Sequence, residues 1–170
     1  MSSRNVVSVI ALFSAAAAFA QAPAPVTPPA GNRAAFTFAA TGDLTYECRA
    51  VADKPGTFAW TFAGPNAKLW EAGKKEAGRY YAGPTWEAAD GSKVTGTQLA
   101  VAPGNAGAIP LQLVQATTVT GDGMMAGVTY VQRLQTVGGV APTAPACAAG
   151  NLGAKTTVPY SADYVFFKKA

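Results

Sequence analysis

The chain has 170 residues, with 13 lysines and arginines, nine aspartates and glutamates, and no histidine. The missing histidine excludes Ser-His-Asp triads, Cys-His dyads and most zinc sites, because each of these needs an imidazole as a base or a ligand. The net charge of +4 is modest and the basic residues are scattered, a pattern that does not favour a nucleic-acid-binding face.

The first 20 residues have the features of a secretory signal peptide. Arg4 gives a basic start, residues 6–19 form an apolar and small-residue run, and Ala18 and Ala20 provide the small-x-small pattern of a cleavage site near Ala20. The run is shorter than the roughly 20 residues that span a bilayer. We therefore predict an exported protein, periplasmic or extracellular, with no membrane span in the mature chain.

A Pro-rich segment, residues 21–34, follows the predicted cleavage site. It has almost no large apolar side chain, and this composition predicts an extended, flexible tether. About 150 residues remain after cleavage, which is enough for one domain. We assign a single β-rich domain to residues 35–170.

That domain consists of short β-favouring runs separated by glycine, proline, asparagine and aspartate. Such spacing is typical of an all-β fold, either a single antiparallel β-sandwich or a closed barrel. No segment shows a sustained helical stripe. The predicted strands cover residues 35–40, 44–51, 57–62, 68–72, 79–82, 85–89, 93–102, 109–116, 125–136, 156–158 and 160–168.

Two hairpins are predicted from glycine-containing turns. Asp90 and Gly91 suit a two-residue type I′ turn, in which both positions need a positive φ. A second hairpin is expected within residues 117–130, turning at residues 121–123.

The last predicted strand has the strongest core pattern. Alternation places Tyr160, Ala162, Tyr164 and Phe166 on one face. Asp163 lies among these aromatic residues, so if it is buried it needs a charged partner, for which Arg133 on another strand is the candidate.

The only two cysteines are Cys48 and Cys147. In an oxidising compartment such a pair favours a disulfide, which would stabilise the fold by about 4 to 5 kcal/mol through loop closure. The alternatives are a metal site, which lacks histidine ligands, and two reactive thiols outside the cell.

Three motifs resemble those of one family, in the same order. They are GPTWEAADGSKVTG (residues 83–96), VTYVQRLQTVGGVAPTAPAC (128–147) and VPYSADYVFF (158–167). The chain resembles the secreted bacterial and fungal group known as domain of unknown function 3455. The resemblance implies an exported β-rich domain with both cysteines at family positions, and it implies no activity.

Aromatic residues provide the best indication of a binding surface. A turn-rich middle stretch holds five aromatic residues whose faces, beside polar groups, suit sugar stacking or a protein contact, namely Trp60, Trp70, Tyr80, Tyr81 and Trp86. Packing in the core is the alternative for the aromatic residues of this region. Tyr81 and Trp86, on either side of a Gly-Pro pair, are the two expected to be exposed.

Two carboxylates offer the only plausible acid-base chemistry in this stretch. Glu87 and Asp90 flank the predicted hairpin and would suit a glycosidase-type pair, as would Asp43 and Glu47 on an earlier strand. Solvated turn residues are the simpler interpretation. No cofactor or metal is predicted, because no loop has the aspartate spacing of a calcium site.

These observations lead to three hypotheses. The first is a non-enzymatic binding or envelope-associated module with residues 80–92 as its contact surface, and with carbohydrate or an envelope or extracellular protein as partner. The second is a carboxylate-dependent hydrolase of extracellular polymers that uses Glu87 and Asp90. The third is a structural envelope protein without a small ligand.

Overall fold

The computed structural model describes residues 22–72 and 75–170, so the predicted signal peptide lies outside the described residues. Within them the chain forms eight β-strands, which are β1 Asn32–Ala50, β2 Phe58–Trp70, β3 Glu76–Tyr81, β4 Thr85–Ala88, β5 Lys93–Ala102, β6 Leu111–Thr120, β7 Val128–Gly138 and β8 Lys155–Lys169. Two short 3₁₀ turns, Ala24–Val26 and Ala149–Asn151, complete the secondary structure. No helix of the described residues is long and apolar enough to cross a membrane.

The strands form one closed barrel in which each strand is antiparallel to its neighbours in the chain. The barrel closes where β1 pairs with β8, in a ladder that runs from Asn32 opposite Lys169 to Glu47 opposite Lys155. The predicted all-β antiparallel fold is therefore confirmed, in its closed-barrel form rather than as a sandwich.

Several predicted strands are parts of longer ones. Residues 35–40 and 44–51 both belong to β1, which passes through Gly42 without interruption. A Cβ at position 42 would collide with the Asn66 carbonyl and with Ala67. Glycine therefore allows β1 and β2 to approach closely at this point, and it does not end the strand.

The first hairpin turn differs from the predicted type I′ turn. Its connection has three residues, closed by bonds from the Gly91 amide to the Ala88 carbonyl and from the Ala88 amide to the Ser92 carbonyl, both of 2.9 Å. Gly91 has a φ of 84°, whereas Asp90 is not among the residues with positive φ. A three-residue loop needs the left-handed conformation only at its glycine. In the second hairpin, β6 and β7 pair as predicted, through a longer connection at residues 121–127.

The barrel interior is filled by side chains, many of them aromatic. The predicted core face of β8 is confirmed, since its four residues are each no more than 5% exposed. Phe36 stacks on Phe166 with 4.7 Å between ring centroids, and Tyr80 stacks on Trp86 at 4.6 Å. Aromatic pairs at these distances contribute beyond the area that they bury.

Part of the segment expected to be a tether packs against the barrel. The Val26 side chain is fully buried against Ala102 and Leu113 on the outer face of the barrel. Gln132 Nε2 donates a hydrogen bond of 2.6 Å to the Val26 carbonyl. Val26 is the large apolar residue of this Pro-rich run, and the outward-facing Leu113 gives it an apolar surface to cover.

The predicted disulfide between Cys48 and Cys147 is confirmed, with 5.3 Å between the two Cα atoms. Cys48 lies on β1. Its amide donates a hydrogen bond to the Ala154 carbonyl and its carbonyl accepts one from the Gly153 amide, both of 2.9 Å. The disulfide therefore attaches the connection between β7 and β8 to the end of β1.

The proposed pair of Asp163 with Arg133 is wrong. Arg133 lies opposite Tyr164 in the β7–β8 ladder, while Asp163 lies opposite Leu134. Cross-strand partners share a face of the sheet, so the two charged side chains leave opposite faces. Arg133 faces the barrel interior with the buried Tyr164, and Asp163 faces outward.

Candidate functional site

The structure places two of the predicted contact residues inside the barrel. Trp86 is fully buried and Tyr80 is 4% exposed, so the prediction that Trp86 is exposed is wrong. Alternation along β4 explains this result, because Trp86 and Ala88 point into the core while Glu87 points out. Trp86 also contacts Tyr164 edge-on, with 5.4 Å between the ring centroids.

The outward-facing residues of the same stretch form a charged cluster centred on Glu87. The strand register places Arg79, Glu87 and Lys93 side by side on β3, β4 and β5. Glu87 accepts a hydrogen bond of 2.8 Å from the Tyr81 hydroxyl and lies 3.3 Å from Arg79 and 3.5 Å from Lys93. The Tyr81 hydroxyl and the Arg79 guanidinium together lower the pKa of Glu87.

The cluster continues onto β2 through a second aromatic residue. Lys68 lies opposite Arg79, and its ammonium is 5.7 Å from the ring centroid of Trp70. The Trp70 indole donates a hydrogen bond of 2.9 Å to Thr41 on β1. The Arg79 guanidinium is 5.5 Å from the Tyr81 ring centroid.

These outward-facing side chains form one surface, which we call the β2–β5 outer face. It consists of Lys68, Trp70, Arg79, Tyr81, Glu87 and Lys93. Of these six residues, sequence reasoning singled out Trp70, Tyr81 and Glu87 as candidates for binding, and it missed the three cations. The signal that it missed is period-two alternation in Lys68–Trp70 and Arg79–Tyr81, which places each cation and aromatic residue on the same side of its strand. A depression of about 400 Å³ borders this surface and is lined in part by Arg79 and Glu87.

Asp90 connects two loops and does not join Glu87 in a carboxylate pair. Its carboxylate accepts hydrogen bonds from the Ser92 amide at 2.9 Å, from the Ser92 hydroxyl and from the Met124 amide at 2.6 Å. These bonds, that of the Ser92 hydroxyl first, lower the pKa of Asp90. Both Glu87 and Asp90 are therefore held in the ionised form, with different partners.

A second polar group, absent from the predicted site, lies inside the barrel. Arg133 is partly buried and donates two hydrogen bonds to the Pro110 carbonyl, at 3.2 Å from Nε and 2.9 Å from Nη2. Tyr164 lies opposite Arg133 in the β7–β8 ladder, and the hydroxyls of Tyr160 and Tyr164 lie 3.4 Å apart. Tyr46, on β1, donates a hydrogen bond of 2.6 Å to the Gly139 carbonyl.

Residues 29–168 match the family model described as "Protein of unknown function (DUF3455)". The chain belongs to the DUF3455 family. Comparison with curated proteins and with solved structures finds no match. The match begins three residues before β1 and reaches almost to the end of β8, so the DUF3455 region includes the whole barrel.

The described part of this DUF3455 chain holds no group of three or more histidine, cysteine, aspartate or glutamate residues that suits a metal ion. Its chemistry at the β2–β5 outer face is that of hydrogen bonding, stacking and charge. The family description includes no activity.

Proposed function

We propose that this DUF3455 chain is an exported, non-catalytic binding module that uses the β2–β5 outer face to bind an acidic polysaccharide of the cell envelope or its surroundings. Export is supported by the signal-peptide features of residues 1–20, and a disulfide is compatible with an oxidising compartment.

The observation that carries the proposal is the alternation of fixed aromatic rings and cations on one wall of the barrel. Trp70 is held by Thr41, and Tyr81 is held by Glu87. Lys68 and Arg79 lie beside these rings in exposed ion pairs, Lys68 with Glu76 at 2.8 Å and Arg79 with Glu87 at 3.3 Å. The Arg79 side chain is 67% exposed, so a ligand carboxylate can reach it. An acidic sugar offers the complementary groups, since its C–H face stacks on aromatic rings and its carboxylate pairs with guanidinium or ammonium.

The two carboxylates that suggested the hydrolase hypothesis do not have the properties that a glycosidase needs. A glycosidase needs one carboxyl group that keeps its proton near neutral pH, which requires a raised pKa. The pKa values of Glu87 and Asp90 are both lowered, and each carboxylate is occupied by hydrogen-bond donors.

Titration of the processed chain with polygalacturonate, with neutral dextran as the comparison, tests the proposed ligand. We expect saturable binding of polygalacturonate that weakens as salt is raised, because exposed charge pairs are screened. Arg79→Ala combined with Tyr81→Ala should weaken it about tenfold or more.

Lys54→Ala is the matched control, because Lys54 is exposed in the connection between β1 and β2, away from the β2–β5 outer face. Equal affinity of the double variant and the control would refute the proposed surface. Absence of binding to any polysaccharide would favour a structural envelope protein without a small ligand.

Export has its own test, which does not depend on the ligand. Expression of the full chain in a secreting bacterial host should release a protein whose first residue is Gln21, as determined by N-terminal sequencing. An uncleaved product retained in the cytoplasm would contradict this part of the proposal.

A further inference from the structure

One end of the barrel is open on one side because two strands are short. In the described residues β3 pairs with β2 only over residues 66–70, and β4 pairs with β5 only over residues 93–95. The β3–β4 hairpin therefore leaves unpaired the inner edges of residues 58–64 of β2 and 96–102 of β5. The turn of this hairpin contacts β2 where Gly64 approaches Ala82. We call this open end the barrel mouth.

The inner walls of the mouth carry both apolar and polar side chains. On one wall Val101 lies opposite Gln112, Gln112 opposite Arg133, and Arg133 opposite the fully buried Tyr164. Cross-strand partners share a face, so this whole row points inward. On the other wall Phe62 lies opposite Tyr46, with 6.0 Å between ring centroids. Phe62 is 51% exposed and Val101 is 46% exposed, although both belong to the inner face.

Arg133 is the only positive charge of this inner row, and it makes no salt bridge in the described part of the chain. Arg133 donates two hydrogen bonds, from Nε and from Nη2, to the neutral Pro110 carbonyl. A partly buried cation without an anionic partner is costly, because neutral dipoles replace its hydration incompletely.

Buried tyrosines share the barrel interior with this cation, and Tyr164 lies directly opposite it in the β7–β8 ladder. Burial raises the pKa of Tyr46, Tyr80, Tyr160 and Tyr164, and the charge of Arg133 opposes that rise at all four. All four hydroxyls therefore keep their protons at neutral pH. Such hydroxyls can donate hydrogen bonds to an anion.

We propose that the barrel mouth binds a small organic carboxylate with an apolar body, whose carboxylate pairs with Arg133 and whose body lies against Phe62 and Val101. A monoanion fits because the row supplies one cation and otherwise neutral donors. Guanidinium can bind a carboxylate through two parallel hydrogen bonds. The apolar walls select an apolar body over a small inorganic anion.

The strand register supplies a sharp test of this site. Gln112 is the cross-strand neighbour of Arg133 on the inner face. Gln112→Glu therefore places a carboxylate of the protein beside the guanidinium, where it competes with the carboxylate of the ligand. Gln115→Glu makes the same chemical change on the same strand, but Gln115 is exposed and lies opposite Tyr130 on the outer face.

Decanoate is the probe, titrated calorimetrically into the processed chain, with decanol as the neutral comparison. We expect wild type and Gln115→Glu to bind decanoate alike and to prefer it to decanol, and Gln112→Glu to bind it at least tenfold more weakly while it remains folded. If Gln112→Glu fails to fold, Val101→Asp, at a half-exposed position of the same row, serves in its place.

No saturable decanoate binding, or equal affinity in Gln112→Glu and Gln115→Glu, would overturn the proposal. The double variant Arg79→Ala with Tyr81→Ala should bind decanoate as wild type does, so failure at the mouth and failure at the β2–β5 outer face are separable.

Discussion

Trp86 combines complete burial with an indole N–H that has no hydrogen-bond partner among the described residues. Trp86→Ala should lower the free energy of unfolding by about 3 to 5 kcal/mol, because it leaves a large cavity among Tyr80, Tyr164 and Phe166. Trp86→Phe should cost less, since it also removes the unpaired donor. Urea unfolding followed by circular dichroism measures both changes.

Trp70→Ala is the control, because Trp70 lies on the outer face and is only partly buried. It should cost clearly less than Trp86→Ala. Equal losses at the two positions would contradict the inward placement of Trp86.

Asp163 is an outward-facing carboxylate whose pKa is raised by partial burial, and the described residues form no salt bridge with it. The folded protein therefore holds the Asp163 proton more tightly than the unfolded chain does. Ionisation at neutral pH costs stability, and this cost disappears as pH falls through the raised pKa towards the ordinary value.

Asp163→Asn should therefore raise the melting temperature at pH 7, by about 1 to 3 °C since solvent screens a partly exposed charge, and should give no gain at about pH 3. Calorimetric scans across this pH range measure the difference, with the exposed Asp122→Asn as control. A gain that is equal at both pH values would show that charge is not the cause.

At the scale of the elements, Asp90 joins the β4–β5 connection to the β6–β7 connection. Its carboxylate lies so close to Gly123 that a Cβ there would collide with it. Because the pKa of Asp90 is lowered, its contribution to stability is present above the unfolded-state pKa and is lost as pH falls through the folded value.

Asp90→Ala should lower the melting temperature at pH 7 by about 3 to 6 °C, because the Ser92 and Met124 amides lose their acceptor. The loss should shrink in acid. Asp122→Ala, in the exposed part of the same β6–β7 connection, should have little effect. A similar loss in both variants would argue against the connecting role of Asp90.

The elements also show what the sequence can and cannot predict. Alternation in β8 is long enough to identify its buried face, and that face was predicted correctly. β4 has only four residues, too few to decide whether Trp86 or Glu87 points inward. Gly42 looks like a strand end in the sequence, yet it lies within β1, because the same residue type serves both turns and close strand contacts.

The candidate site was harder to predict than the fold, for a related reason. Arg79, Glu87 and Lys93 are spread along the chain, and they meet only because three strands pair in a particular register. Asp163 seemed to need Arg133 as a partner because both lie on predicted core strands. The register instead places their side chains on opposite faces, and period-two patterns do not give the register between strands.

For the whole molecule, the disulfide closes a chain segment of 99 residues. Replacing Cys48 and Cys147 together by alanine should lower the free energy of unfolding by about 2 to 5 kcal/mol. Denaturant unfolding of the variant, and of wild type with and without dithiothreitol, measures the change. An unchanged midpoint in the variant would show that the barrel does not depend on this cross-link.

The pairing of the first strand with the last determines when folding can finish. Until β8 has left the ribosome, β1 lacks one of its two neighbours and the sheet has two open edges. Such long-range closure is slow and cannot be completed by the early part of the chain. The complete barrel therefore cannot form before β8 has been synthesised, and this order of events suits the proposed export, because a chain that crosses a membrane unfolded must not close its barrel first.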